Sequence, residues 1–191
     1  MTAKPDLRRH MRRLRLALAR DNPDAASRLA DLIPDHRLRH TVVGGYAAVG
    51  GEIDPRPAMR RLADAGARLA LPVVRDAGTG FDFHAWREGD RLSPDALGVP
   101  SPLPTSERLH PDLILAPLLA FDRRGGRLGQ GGGYFDRAIA DLRARGPLFV
   151  MGLAFAGQEV GEVPLEAHDA RLDAVLTERG YIEVDPIRRT P

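Results

Sequence analysis

A glycine-rich stretch at residues 121–137, FDRRGGRLGQGGGYFDR, is the part of the chain whose residue types point most directly to chemistry. It follows an apolar run at residues 113–119 that predicts a buried strand, and it precedes an amphipathic pattern that predicts a helix. Glycine lets a ligand approach backbone N–H groups without meeting a Cβ. Because free N–H groups and the helix dipole favour an anion at a helix N-terminus, and Arg127 adds positive charge, the stretch predicts a phosphate-binding loop.

The loop matches neither of the two commonest phosphate-binding motifs. A Walker loop ends in Gly-Lys-Ser/Thr, whereas Tyr134 follows Gly133 here. A dinucleotide fingerprint joins the first strand of a βαβ unit to its helix, whereas this loop comes late in the chain and has a different glycine spacing. Taken alone, the glycines are also compatible with a flexible connection.

Three carboxylates lie at the ends of predicted elements. Asp136 follows the glycine-rich stretch and Asp169 follows the last long predicted strand. They suit Mg²⁺, which takes one or two carboxylates together with phosphate oxygens. Equally, Asp136 could balance a helix dipole and Asp169 could act as a cap. Glu52 lies just beyond a predicted strand, which is where ligands of open α/β sheets bind, or it is an exposed turn residue.

Two aromatic residues are further candidates for ligand contact. Trp86 is the single tryptophan and could stack on a flat heterocycle, although such a residue more often covers the edge of a core. Tyr134 could pack on a ligand or against the start of the following helix.

Several kinds of site are excluded by residue type and spacing. The chain has no cysteine, which rules out disulfides, thiol catalysis and zinc–thiolate sites. Its six histidines lack the spacing of a metal-binding motif, and no Gly-x-Ser-x-Gly elbow is present.

Positive charge is concentrated in the first segment, although the whole chain has a net charge of only +2. Its leucines and methionine recur at helical spacing, which predicts an amphipathic helix with its arginines facing outward. The helix is either a basic arm for nucleic acid or an anion-binding helix of an enzyme core. The basic residues of this segment are Lys4, Arg8, Arg9, Arg12, Arg13, Arg15 and Arg20.

Predicted strands and helices alternate along the chain, which indicates an α/β fold with parallel strands. Strands are predicted at residues 41–49, 68–74, 81–86, 113–119, 147–155, 174–177 and 181–184, the third of them at a sheet edge. Further helices are predicted from Pro23 to about Leu32, from Pro55 to Gly66, and after the glycine-rich stretch. The proline-rich residues 93–104 predict a surface loop.

The whole chain has the size and composition of one globular domain. It has 191 residues, 43% hydrophobic and 28% charged, and no evident interdomain linker. The tail from about residue 185 is expected to fray. No apolar run approaches the roughly 18 residues that cross a bilayer. Because the basic N-terminus also lacks the apolar core of a signal peptide, a cytoplasmic protein is predicted.

Taken together, the motifs resemble one family, and they occur in that family's order from Lys4 to about Tyr181. The chain is similar to the 5-formyltetrahydrofolate cyclo-ligases, also called 5,10-methenyltetrahydrofolate synthetases, and the glycine-rich stretch is the most specific part of the resemblance. The matching residues are Lys4, Leu7, Arg8, Arg12, Tyr46, Glu52, Ile53, Asp54, Leu71, Pro72, Trp86, residues 121–136, residues 152–158, Pro164, His168, Asp169, Thr177 and Glu178.

The resemblance implies a single three-layer α/β/α domain over residues 1–191, with a mostly parallel central sheet. It implies catalytic roles for Lys4, Arg127 and Tyr134, and a Mg²⁺ ion held by Asp136 and Asp169. It implies ATP binding by Lys4, Arg8, Arg127, Leu128, Gly129, Gln130, Gly131, Gly132, Gly133, Tyr134 and Phe135. It implies folate binding by Tyr46, Glu52, Trp86, Gln130, Gly131, Gly132, Gly133 and Tyr134.

Two residues depart from the family pattern. Phe135 stands where many members have a second tyrosine, and Gly132 stands where some carry a basic residue. The first change removes a hydroxyl group. The second is expected to shift phosphate binding onto Arg127 and the backbone N–H groups.

The implied reaction explains why no nucleophilic residue is needed. The formyl group of 5-formyltetrahydrofolate is an amide, and ATP would activate it by phosphorylating the formyl oxygen to an iminium phosphate. Such a transfer needs cations and N–H donors more than a nucleophile. Two other classes remain open: a non-catalytic nucleotide- or folate-binding protein, and an RNA-binding protein acting through its basic helix. A monomer with small-molecule substrates, and with neither nucleic-acid nor membrane partners, is predicted.

Overall fold

The computed structural model describes residues 4–74 and 80–184. Its four α-helices are α1 (Lys4–Asp21), α2 (Ala25–Asp31), α3 (Arg56–Asp64) and α4 (Tyr134–Arg145), and short 3-10 helices lie at Asp35–Arg37 and Ala156–Gln158. Its strands are β1 (Val42–Gly44), β2 (Arg68–Val74), β3 (Phe81–Ala85), β4 (Ser93–Pro94), β5 (Pro100–Ser101), β6 (Arg108–Leu109), β7 (Leu113–Pro117), β8 (Ala120–Phe121), β9 (Arg127–Leu128), β10 (Phe149–Leu153), β11 (Ala174–Thr177) and β12 (Gly180–Glu183). The predicted fraying of the tail lies outside the described residues.

Eight strands form one sheet in the order β12-β11-β10-β7-β1-β2-β3-β6. The five central strands, from β11 to β2, pair in parallel. Antiparallel pairing occurs only toward the two ends, at β11–β12, β2–β3 and β3–β6. The mostly parallel central sheet expected from the βαβ order is therefore confirmed.

Strand β7 shows how the sheet separates two halves of the core. Because successive side chains of a strand point to opposite faces, its odd and even residues lie in different layers. Leu113 and Leu115 pack with α2 and α3, whereas Ile114 and Ala116 pack in the cluster that contains Ile139 of α4. Helices thus cover both faces, which confirms the three-layer α/β/α architecture.

Helix α1 packs beside the sheet layers through a smaller apolar cluster. Its Met11 joins Leu119, Leu128 and Val163, so the helix lies against the segments that follow β7. The prediction that its arginines face outward is wrong at Arg15, which is only 2% exposed. Arg15 is buried because backbone carbonyl groups and a carboxylate from other segments receive its N–H donors.

Several predicted boundaries differ from the structure. The strand predicted at residues 41–49 ends at Gly44, since the chain leaves the sheet after the N–H of Gly45 bonds the carbonyl oxygen of Ala70. Helix α2 begins at Ala25, not Pro23, because a turn occupies the preceding residues. Strands β2 and β11 have the predicted bounds. Residues 81–86 are not a sheet edge, because β6 pairs along the outer side of β3.

Two predicted loops contain short hairpins. Strands β4 and β5 pair within the proline-rich segment, where Asp95 accepts N–H groups from Val74, Leu97 and Val99. Strands β8 and β9 pair within the glycine-rich stretch, so only its second half is an open loop. Within residues 4–74 and 80–184, no helix has the length and apolar character needed to cross a membrane.

Candidate functional site

A cavity of about 570 Å³ opens where the central parallel strands end. Its walls include Tyr46 beyond β1, Val74 at the end of β2 and Leu118 beyond β7. Ligands of open α/β sheets bind outside the carboxyl ends of the strands, and this cavity has that location. The start of α1 and the glycine-rich stretch complete the walls.

The first half of the glycine-rich stretch is held rigidly by Asp122. This buried carboxylate accepts the N–H groups of Arg124, Gly126 and Val163 at 2.8–2.9 Å. Gly125 has φ +81°, and a Cβ on it would lie 2.6 Å from the carbonyl oxygen of Leu172. The turn therefore requires glycine at this position, and it directs the chain back toward the cavity.

The second half of the stretch leads into α4 through residues that line the cavity. Gly131 has φ +111° and Gly133, the N-cap of α4, has φ +65°. Within the described chain, no side-chain hydrogen bond caps this helix. The first N–H groups of a helix lack intrahelical partners, so this end offers donors and a positive dipole to an anion.

Arginines of α1 hold the loop from the other side. Arg8 Nε donates to the carbonyl oxygen of Gly129 at 3.1 Å. Arg12 donates from Nε to Oε1 of Gln130 at 2.9 Å and from Nη2 to its carbonyl oxygen at 3.0 Å. The basic helix therefore belongs to the site, and the carbonyl groups of Gly129 and Gln130 turn toward it.

Lys4 at the start of α1 is paired with two carboxylates. Its Nζ lies 2.5 Å from Asp169 Oδ2 and 2.9 Å from Glu166 Oε1. Burial by itself would lower the pKa of Lys4, but the hydrogen bonds to Asp169 and Glu166 outweigh it and raise this pKa above its ordinary value. Burial would raise the pKa of Asp169, but the Lys4 hydrogen bond holds it below its ordinary value. Lys4 and Asp169 are therefore both charged at neutral pH.

A second ion pair joins Arg127 to Asp136. Arg127 Nη2 lies 2.5 Å from Asp136 Oδ1, and the two side chains are 3% and 15% exposed. Arg127 Nη1 donates to the carbonyl oxygen of Pro117, and Asp136 Oδ1 also accepts the N–H of Ala170. The buried Nε of Arg127 has no hydrogen-bond partner among the described residues. Arg127 thus brings a buried positive charge to the edge of the cavity.

The two carboxylates expected to bind Mg²⁺ line the same cavity. Oxygen donors of this kind suit Mg²⁺, which retains water and takes one or two carboxylates together with phosphate oxygens. Each of them already accepts hydrogen bonds, Asp136 from Arg127 and Asp169 from Lys4. Among the residues that the structure describes, no group of three or more potential ligands is placed to hold a metal ion. A metal ion at these carboxylates would therefore have to share or replace their contacts with Lys4 and Arg127.

Glu52 lines the same cavity and is part of neither of these two ion pairs. Its Oε1 accepts from Arg15 at 3.2 Å, and its Oε2 accepts the N–H of Val49 at 3.0 Å. The Tyr46 hydroxyl donates to the carbonyl oxygen of Ile53 at 2.6 Å. Complete burial raises the pKa of Tyr46 well above its ordinary value, so this tyrosine stays neutral. The cavity is therefore lined both by the glycine-rich loop with its cations and by a carboxylate held in a fixed orientation.

Comparison with known proteins identifies the family. The sequence model described as the 5-formyltetrahydrofolate cyclo-ligase family matches residues 1–178. The chain belongs to this family. The 5-formyltetrahydrofolate cyclo-ligase of Escherichia coli strain K12 is 34% identical over 148 residues, which cover 73% of this chain and 79% of that protein. The one from Mycolicibacterium smegmatis is 32% identical over 154 residues, which cover 76% and 78%.

Solved structures agree with this assignment. The NMR structure of Aquifex aeolicus 5,10-methenyltetrahydrofolate synthetase matches with a TM-score of 0.74 and 25% identity, over 96% of this chain and 93% of that one. A 5,10-methenyltetrahydrofolate synthetase from Mycoplasma pneumoniae matches with a TM-score of 0.71 and 19% identity, over 93% and 99%, which shows the fold. The family membership makes the chain an enzyme of the cyclo-ligase type, as the motifs predicted.

The cavity brings together almost all of the site residues predicted for a cyclo-ligase. The predicted residues that line it are Lys4, Arg8, Tyr46, Glu52, Arg127, Leu128, Gly129, Gln130, Gly131, Gly132, Gly133, Tyr134, Phe135, Asp136 and Asp169. Trp86 is not among the described residues that line it. Trp86 is 7% exposed and packs in the core cluster of α2 and α3, and its indole N–H has no partner among the described residues.

Other lining residues were missed by the sequence analysis. Leu97 and Val99 belong to the β4–β5 hairpin, which was expected to be a plain surface loop. Phe81 begins β3 and packs edge-on against Phe135 of α4, with ring centroids 5.0 Å apart. Glu166 pairs with Lys4 two residues before the His168-Asp169 motif. The apolar residues carry no sequence signal, but the acidic residue near Asp169 could have been considered.

Proposed function

We propose that the protein converts 5-formyltetrahydrofolate and ATP into 5,10-methenyltetrahydrofolate, ADP and phosphate. The observation that carries the proposal is that one cavity joins a glycine-rich loop, buried cations and an oriented carboxylate. A folate and a triphosphate would meet there, with the phosphates at the loop and the pterin toward Glu52. Family membership supports the cyclo-ligase activity itself.

The reaction follows from the weakness of the formyl amide as an electrophile. The formyl oxygen attacks the γ-phosphorus of ATP, and the bond to ADP breaks. N10 of the same molecule then attacks the formyl carbon of the iminium phosphate and loses its proton. The bond between that carbon and the phosphate oxygen breaks, which leaves the methenyl bridge and inorganic phosphate. Since both nitrogens are in one molecule, little proximity advantage is left for the protein to supply.

The protein residues act through position and charge. The N–H groups at Gly131 to Tyr134 and the cations Lys4, Arg8 and Arg127 would hold the triphosphate and stabilise the charge that develops during transfer. Asp136 and Asp169 would hold Mg²⁺, which neutralises phosphate charge when it is bound. Lys4 and Arg127 are therefore proposed as catalytic residues. Tyr134, which lines the cavity at the end of the loop, is proposed to contact both ligands.

The direct test mixes purified protein with 5-formyltetrahydrofolate and MgATP and follows the absorbance of the methenyl product. We expect product and ADP in equal amounts, and no product with a non-hydrolysable ATP analogue. Absence of product from folded protein, in an assay where a reference enzyme is active, contradicts the proposal. Binding of both ligands without turnover would instead support the non-catalytic alternative.

A matched pair of variants tests the nucleotide end of the cavity. Arg8 contacts the loop, whereas the neighbouring Arg9 is exposed and pairs with Asp6. Since a hydrogen bond to a charged group contributes about 1.5–3 kcal/mol, Arg8→Gln should raise the KM for ATP roughly 10- to 100-fold. Arg9→Gln removes the same charge and should leave KM within about twofold. Equal effects of the two substitutions would contradict the assignment of Arg8.

A further inference from the structure

Arg15 is a buried arginine that donates hydrogen bonds to Glu52 and to three backbone carbonyl groups. Its side chain is 2% exposed. Nη1 donates to Glu52 Oε1 and to the carbonyl oxygen of Leu118, both at 3.2 Å. Nη2 donates to the carbonyl oxygen of Gly50 at 3.0 Å and reaches that of Val49 at 3.5 Å. A single guanidinium therefore ties the chain after β1 to the chain after β7.

Two hydrogen-bond donors of the protein hold the Glu52 carboxylate in place. Its side chain is 6% exposed, with Oε1 on Arg15 and Oε2 on the N–H of Val49. Glu52 also lines the cavity, so its orientation decides which lone pairs face a ligand. Arg15 fixes this orientation directly, by its hydrogen bond to the carboxylate, and indirectly, by its hydrogen bonds to the carbonyl groups of Val49 and Gly50.

The arginines of α1 form a stripe with two different targets. Arg8, Arg12 and Arg15 lie four and three residues apart, a spacing that puts them on one helix face. Arg8 and Arg12 contact the glycine-rich loop, whereas Arg15, about two turns from Arg8, contacts the Glu52 segment. One helix thus holds both the glycine-rich loop and the Glu52 segment through separate side chains.

We propose that Arg15 is a positioning residue for the folate substrate, acting through Glu52 and not by contact with the ligand. This inference rests on the proposed function, because it takes Glu52 as a contact of the folate. Loss of Arg15 leaves a buried carboxylate without its cation, and such a group turns toward water. Folate affinity should then fall, while nucleotide affinity, which depends on Arg8 and Arg12, should not.

The test uses Arg15→Gln, with Arg13→Gln as the matched control. Arg13 is exposed on the same helix, so the control removes the same charge without touching the interior. Dissociation constants of 5-formyltetrahydrofolate and of ADP are measured separately by calorimetry on the full chain. Arg15→Gln should weaken folate binding about 100-fold, which corresponds to the loss of a well-placed hydrogen bond to a charged group. ADP binding should stay within about twofold, as should both affinities of Arg13→Gln.

If Arg15→Gln fails to fold, Arg15→Lys tests the positioning role of Arg15 instead. Lysine keeps the buried positive charge, but its single ammonium group cannot reproduce the forked contacts to Glu52 and three carbonyl groups. We expect about 10-fold weaker folate binding with unchanged ADP binding. Wild-type folate affinity in Arg15→Lys would overturn the inference.

A double-mutant cycle shows whether Arg15 acts through Glu52. In a Glu52→Gln background, the further change Arg15→Gln should cost less than about threefold in folate affinity, because the carboxylate that it positions is gone. The same 100-fold loss in both backgrounds, or an equal loss of ADP affinity, would indicate a general structural role and overturn the inference. If wild-type protein neither binds nor converts the folate, the proposed function itself fails, which is a separate result.

Discussion

At the level of single residues, two of the three cations expected to hold a triphosphate, Lys4 and Arg127, are already paired with carboxylates. Lys4 is paired with Asp169 and Glu166, and Arg127 is paired with Asp136. These pairs fix the side chains at the cavity wall and limit the cost of their burial. A triphosphate would offer the same cations stronger partners, so nucleotide binding is expected to redistribute these contacts.

The Lys4–Asp169 pair predicts how stability depends on pH. The pKa of Asp169 is below its ordinary value in the folded state. The stabilisation from its pairing with Lys4 is therefore present above the unfolded-state pKa of Asp169 and is lost as pH falls through the folded-state pKa. Lys4→Met removes the hydrogen bond that lowers this pKa. The difference in unfolding free energy between wild type and Lys4→Met should therefore narrow as pH falls from about 7 to about 3. Urea unfolding of both proteins at each pH measures this difference in unfolding free energy.

At high pH, the stabilisation that comes from Lys4 changes with pH in the opposite direction. The pKa of Lys4 is raised, so its contribution is present below the unfolded pKa and lost as pH rises through the folded value. If the difference in unfolding free energy between wild type and Lys4→Met stays constant from neutral to acidic pH, the pair does not stabilise the fold.

The Arg127–Asp136 pair predicts a combined loss of stability and activity. Asp136→Asn leaves the buried guanidinium of Arg127 without its counter-charge, and we expect a loss of about 2–3 kcal/mol in unfolding free energy. Turnover should also fall strongly, because Arg127 loses its counter-charge and the proposed metal site loses one of its two carboxylates.

Asp141→Asn is the control for this substitution, since Asp141 is exposed on the same helix. It should change stability by less than about 0.5 kcal/mol and leave turnover intact. Urea unfolding and the methenyl assay are run on both variants. Wild-type turnover in folded Asp136→Asn protein would refute the role of Asp136.

At the scale of elements, α1 and α4 meet the glycine-rich loop from two sides. Helix α4 offers its uncapped N-terminus, and α1 offers Arg8 and Arg12 to the carbonyl groups of the loop. The loop is therefore held by the carbonyl oxygens of Gly129 and Gln130, and among the described residues no backbone hydrogen bond uses the N–H groups of Gly129 to Gly133. This arrangement explains how a segment rich in glycine can be ordered and still offer N–H donors to the cavity.

Gly133 tests the contribution of the loop conformation. Its φ of +65° is a left-handed conformation that costs other residues about 1–2 kcal/mol, so Gly133→Ala should destabilise the protein by about 1 kcal/mol. The KM for ATP should rise, because the first N–H groups of α4 are displaced. Gly146→Ala, at the other end of α4, is the control: Gly146 is exposed, its backbone is extended, and nothing lies within 4 Å of an added Cβ. Equal KM values in the two variants would contradict this role of Gly133.

At the scale of the whole molecule, stability depends on a sheet that is covered on both faces. Leu115 and Ile114 are neighbours in the central strand β7 and are both fully buried, in opposite layers. Leu115→Ala and Ile114→Ala should therefore each cost about 2–5 kcal/mol of unfolding free energy. Leu103→Ala, at a residue that is 46% exposed, should change it by less than about 0.5 kcal/mol. If only one of the two core variants is destabilised in denaturant unfolding, the layer on the other side is not a closely packed core.

The sequence predicted the regular part of the fold well. Strands β2 and β11 have the predicted bounds because their residue patterns are local properties of extended chains. The strand after Thr41 was predicted too long, because its exit from the sheet is decided by pairing with β2 rather than by composition. The edge position was assigned wrongly because β6 has only two residues, too few for a sequence pattern. The monomeric state and the cytoplasmic location stay predictions.

The sequence by itself determined the chemistry available at the site, because glycine spacing and nearby cations are local features: residues 127–136 supply N–H donors, Arg127 and Asp136 in one short segment. Only the tertiary structure decided which charges face each other, since Lys4 and Asp169, or Arg15 and Glu52, are far apart along the chain. It also turned Arg15 inward and placed Trp86 in the core. The physical reason is that burial of a polar group depends on partners from distant segments, and helical periodicity does not reveal them.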